Sequence, residues 1–147
     1  MKETGYDSIV VPLDLNKKTK QKLEMAASMA LYFDSEVHLI TPYESDEFLN
    51  NKLKANRAWA VKYLKGRDVK FTTHIVEKGD SLIEGVFKLS KKVDADLIAI
   101  MNLQNNSLMG ILGSSYQQEV ITNPLKVPVL CINPLQTTVA KGSILVR

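Results

Sequence analysis

Five short aliphatic runs, each set apart from the next by a stretch with helical spacing, constrain this 147-residue chain more than any other feature. They lie at residues 8–13 (SIVVPL), 36–41 (EVHLIT), 69–76, 97–101 (LIAIM) and 127–132 (VPVLCI). Short runs rich in β-branched and aliphatic residues read as strands, and continuous hydrophobicity marks strands buried on both faces. Pro42 and Pro134 stop the second and fifth runs.

The intervening text reads as helix. Asn16 can cap a first helix in which Leu23, Ala26, Ala27, Ala30 and Leu31 recur on the buried side. Lys17, Lys18, Lys20 and Lys22 are expected on its opposite, solvated face. A second helix over about 46–65 buries Leu49, Leu53, Ala60, Val61 and Leu64. Gly79-Asp80 punctuates, and Ser81 with Glu84 forms a capping box for a third helix lined by Leu82, Ile83, Val86, Phe87 and Val93. Gly113-Ser114-Ser115 opens a fourth helix running to about Asn123, with Val120 and Ile121 inward.

Strands alternating with helices at this spacing require right-handed crossovers and give an α/β fold, a parallel sheet covered by helices on both faces. The length fits one domain, placed at residues 1–134, followed by a tail at 135–147 that can add a strand or a dimer contact. In such sheets ligands bind beyond the carboxyl ends of the strands, where the winding reverses. The residues there are Asp14, Thr41, 77–80, 102–115 and Asn133.

Charge narrows the partners. Nineteen basic against 16 acidic residues leave a net charge of +3, too mild for nucleic acid or a membrane surface as the main partner. No apolar run approaches the roughly 20 residues of a membrane span, and one cysteine, Cys131, excludes an internal disulfide framework. A cytoplasmic setting is expected. From Asp96 onward the charged residues are Asp96, Glu119, Lys126, Lys141 and Arg147 alone, which points to burial or to a covering partner.

Several chemistries are missing from the strand ends. Asp14-Leu15-Asn16-Lys17 holds no glycine-rich dinucleotide turn, and no GxxxxGK[ST] phosphate loop occurs. His38 and His74 fall inside strands, where packing or hydrogen bonding is the expected role, and they lack the acids or thiols of a metal site. Trp59 and Tyr63 read as packing on the second helix, and Cys131 as a buried apolar residue. Gly110 to Ser115 is the informative stretch, because glycines and serines at a helix N-terminus can either cap it or present N–H groups to an anion.

Taken in order, Ile9 to Asp14, Gly79, Ala95 to Ile100, Gly113-Ser114-Ser115 and Val127 to Leu130 resemble the universal stress protein family over about residues 6–134. The resemblance implies a five-stranded parallel sheet in the Rossmann-like order 3-2-1-4-5, and dimerisation through the last strand. That makes Val127, Val129, Leu130, Cys131 and Ile132 candidate interface residues. Family members that bind ATP carry G-x-x-G, nine residues, then G-[ST]. Here Gly113-Ser114 matches the last element, while Asn102 and Asn105 stand where a shortened loop would place the glycine pair. An asparagine brings a side chain where close backbone approach to a nucleotide is wanted.

The resulting expectation is a non-enzymatic stress-response homodimer acting through protein contacts, with no firm cofactor. The alternative is an adenine-nucleotide sensor for ATP or AMP, built from Asp14, Asn102, Asn105, Gly110, Gly113, Ser114 and Ser115. Catalysis, such as a slow ATPase, has no assembled base and metal site behind it.

Overall fold

The computed structural model describes residues 7–13, 19–101 and 127–132, and for Thr19, Met101 and residues 130–132 the backbone only. Its elements run β1 (Ser8–Pro12), α1 (Thr19–Phe33), β2 (Glu36–Thr41), α2 (Glu47–Gly66), β3 (Lys70–Ile75), α3 (Leu82–Val93), β4 (Leu97–Met101) and β5 (Val129–Ile132). The strands form one sheet in the order β3-β2-β1-β4-β5, and each described pairing is parallel. This is the expected order. The winding reverses between β1 and β4, which places the crevice rule of open α/β sheets at their carboxyl ends.

Period-two alternation distributes β1 between two cores. Ile9 and Val11 face α1 and α2, while Val10 faces α3, and all three are fully buried. On the first face Leu23, Ala26, Ala27 and Ala30 of α1 and Ala60 and Leu64 of α2 close over Val37, Leu39, Leu97 and Ala99. The alanines bring α1 close to the sheet. The leucines contribute more, roughly 1.5–3 kcal/mol each on full burial. On the second face Val86 and Leu89 of α3 cover Ile40, Ile98 and Ile100, with Val127 and Val129 half-buried against them.

Two expected core residues are not in the core, and one of them, Leu49 near the start of α2, is half-buried outside both clusters. The other, Leu31, is 45% exposed. Four helical residues advance about 40° past a full turn, so Leu31 drifts off the stripe that Leu23 and Ala27 define. The expected capping box is present: Ser81 Oγ accepts from the Glu84 N–H at 3.2 Å, and Glu84 Oε1 accepts from the Ser81 N–H at 2.7 Å. Expected contacts from the fourth helix, residues 113–123, and from the tail lie outside the described residues.

The two poles of the sheet are built differently. Helices return to strands through short turns carrying Asp34, Asp68 and Asp94 at φ of 55°, 59° and 54°. Aspartate is one of the few side chains that tolerate this left-handed backbone. At the opposite pole the described strand-to-helix connections are longer, 42–46 and 76–81, and Gly79 takes a φ of +97° that other residues rarely adopt. No helix among the described residues is long and apolar enough to cross a membrane.

Candidate functional site

The starts of β1 and β4 are fastened together before their carboxyl ends can form a crevice. Asp96, 7% exposed, accepts from the Asp7 N–H at 2.7 Å and the Ser8 N–H at 3.1 Å through Oδ2. Its own N–H donates to the Ser8 carbonyl at 2.9 Å. This clamp sets Ile9 opposite Leu97 and Val10 opposite Ile98, so the register of the two strands flanking the switch point begins at one aspartate.

Two cations stand at the carboxyl ends. Lys22 is only 4% exposed, and its Nζ donates to the Pro12 carbonyl at the end of β1. This corrects the expectation that Lys22 belongs to a solvated lysine face. Lys22 precedes Ala26 and Ala30 by four and eight residues, in line with the buried stripe, so it points at the sheet. A buried ammonium is tolerated only with hydrogen-bond acceptors around it. Lys20, by contrast, is exposed and lies over the Trp59 ring at 5.1 Å. Trp59 stacks on Tyr63 with ring centroids 5.4 Å apart, the packing role expected for both.

The second cation is Arg57 of α2, whose Nη1 donates to Thr41 Oγ1 at 3.2 Å. Thr41 closes β2, is 1% exposed, and accepts through its carbonyl from the Val76 N–H at 2.9 Å. Sequence reading places Thr41 at a strand end and misses Arg57, although Arg57 lies between Leu53 and Ala60 on the buried side of α2. Further out, Lys88 is held by Asp80 at 2.6 Å and Glu77 at 3.4 Å. Hydrogen bonding to Asp80, then its charge, raises the Lys88 ammonium above the ordinary lysine range. Asp80 is therefore engaged in an ion pair.

The other expected ligand residues, Asp14, Asn102, Asn105, Gly110, Gly113, Ser114 and Ser115, lie outside the described residues. Leu130, Cys131 and Ile132 contribute backbone to β5, where Cys131 pairs with Ile100. Among the described residues no group of three or more histidines, cysteines and acids is placed to hold a metal.

His38 and His74 come together across β2 and β3, with Nδ1 of the first 3.2 Å from Nε2 of the second. Burial lowers both pKa values below the ordinary 6.5; Glu36 partly offsets this, and for His74 the positive His38 and Lys92 lower it further. The unfolded chain then takes up protons near pH 6.5 while the folded protein still resists them, so the unfolded state binds more protons in that window. Stability is complete above about pH 6.5 and falls as the pH drops through the folded values. Urea midpoints at pH 7.5 and 5.5 should show this loss. The double variant His38→Gln, His74→Gln should flatten the dependence, and an unchanged slope would contradict the assignment.

The profile of the universal stress protein family matches residues 5–133. No curated protein sequence matches the chain. Among solved structures, a universal stress protein from Archaeoglobus fulgidus is similar at 22% identity and TM-score 0.71, over 87% of this chain and 94% of that one. A universal stress protein in complex with cAMP is similar at 20% identity and TM-score 0.73, covering 89% of this chain and 99% of that chain. The Archaeoglobus fulgidus protein in complex with dAMP is similar at 21% identity and TM-score 0.69, covering 86% and 98%.

Proposed function

The chain belongs to the universal stress protein family, and from that premise we propose that it binds an adenine mononucleotide of the AMP class at the carboxyl ends of β1, β2 and β4. The observation that carries this reading is the pair of cations, Lys22 at Pro12 and Arg57 at Thr41, gathered at the pole where ligands of such sheets bind. The solved relatives that hold cAMP and dAMP support the ligand class. Arg57 answers the phosphate charge. The protein acts as a binding module in the cytoplasm, without catalysis of its own. Calorimetry with AMP tests this. Saturable binding is expected, weakened about tenfold in Arg57→Met, the loss of one charge-assisted hydrogen bond. No heat at millimolar AMP removes the reading.

A second reading concerns assembly: a homodimer in stress response, formed through the edge strand β5. The charge-poor stretch after Asp96 supports it, together with the position of β5 at one end of the sheet order. Light scattering over a dilution series should return twice the chain mass at micromolar concentration. A monomer throughout would overturn it.

A further inference from the structure

A second recess lies away from the β1–β4 crevice, on the α3 face beside edge strand β3. It is an open recess of about 300 Å³ between β3 and α3. Ile40, Val76 and Leu89 give it an apolar floor, each at most 5% exposed. His74, Lys88 and Lys92 supply its polar wall. Such a volume suits a small molecule, and an apolar floor with few polar groups is the usual make-up of a ligand site.

The charges choose the ligand. Glu77 and Asp80 also line the recess, and both are already committed to Lys88. Among the described residues no carboxylate pairs with Lys92, whose positive charge bears directly on His74. Two acids against two lysines leave no net charge. A proton on His74 then makes the recess singly positive. Glu77 and Asp80 repel a dianionic phosphate about twice as strongly as a monoanion at the same distance, so the recess favours the monoanion.

The histidine pair supplies that proton's place. Glu36 Oε1 lies 4.0 Å from His38 Nε2 and favours the proton there, and Glu36 Oε2 accepts from Thr72 Oγ1. His38 Nδ1 is then an acceptor, and His74 Nε2–H donates to it across 3.2 Å. The lone pair then remains at His74 Nδ1, the nitrogen that does not meet His38. Facing this pair are Glu36 on β2, Lys92 and Lys88 on α3, and Glu77 and Asp80 on the connection between β3 and α3. Protonation at Nδ1 converts an acceptor beside Lys92 into a second donor.

We propose that this recess binds a small organic monocarboxylate, its charge held between Lys92 and His74 and its apolar body on Ile40, Val76 and Leu89. Binding takes up one proton at His74, so affinity rises as the pH falls. The recess adjoins Thr41 through Ile40 and Val76, but neither Lys22, Arg57 nor Thr41 lines it, and the proposal does not depend on nucleotide binding.

Benzoate is the probe, followed by ¹H–¹⁵N NMR on the full chain at pH 5.5 and 7.5 and constant ionic strength. Saturable shifts are expected at the Val76, Gly85 and Leu89 amides, with affinity at least about fivefold higher at pH 5.5. Lys92→Met, at an exposed position, keeps the fold and should weaken binding about tenfold at the lower pH. His74→Gln should abolish the pH dependence. Shifts that never saturate, an affinity unchanged in Lys92→Met, or inorganic phosphate binding more tightly than benzoate would each overturn the proposal. Should His74→Gln fail to fold, Lys92→Met decides alone.

Discussion

Gly85→Val is expected to destabilise the protein by about 3 kcal/mol through overpacking between α3 and the sheet. A Cβ at Gly85 would stand 2.5 Å from Val76 Cγ2, 3.2 Å from Val76 Cγ1 and 3.3 Å from Ile40 Cδ1. Val76 is 3% exposed, and its short branched side chain has no far end to swing away. The new atom therefore pushes α3 off β3. Higher helix propensity recovers at most about 0.5 kcal/mol of this for valine, against about 1 kcal/mol for alanine. Gly85→Ala should accordingly cost about 1 kcal/mol. Gly66→Ala serves as the control, because nothing lies within 4 Å of a Cβ at Gly66. Denaturant midpoints in the order Gly66→Ala, Gly85→Ala, Gly85→Val would establish the close approach, and three equal midpoints would refute it.

Asp96→Ala should cost about 2–3 kcal/mol. The carboxylate serves two backbone N–H groups, and a charge-assisted hydrogen bond contributes about 1.5–3 kcal/mol. Both bonds are part-buried, so water replaces some of the loss. For a chain of this size, the unfolding temperature should drop by roughly 6–9 °C. Asp96→Asn keeps an oxygen acceptor without the charge and should lose about half as much. Thermal unfolding followed by circular dichroism checks both values. A drop below about 2 °C in Asp96→Ala would mean that the strand ladder fixes the register unaided.

The strands and the first three helices are legible in the sequence because each carries a strong local pattern. The capping box of Ser81 and Glu84 needs only a spacing of three, and the buried run of β1 needs only its own composition. The site is less legible for a different reason. Lys22 looks like its neighbours Lys17, Lys18 and Lys20 unless its i+4 relation to Ala26 is given more weight than its charge. Arg57 belongs to no motif, and its partner Thr41 lies 16 residues away. His38 and His74 are 36 residues apart, and only the β2–β3 register, which sets Ile40 opposite His74, brings their rings together. A local reading assigns each histidine to packing without seeing that they meet.

The aspartate turns at Asp34, Asp68 and Asp94 all lie where strands begin, opposite the pole that carries Lys22 and Arg57. That geometry gives the protein a handle. All three side chains are exposed, and none belongs to the crevice or the recess beside β3. A tether or dye attached at residue 68 would anchor the molecule by its closed end and leave its open end facing solution. Surface-immobilised protein oriented in this way should give the same ligand affinities as protein in free solution.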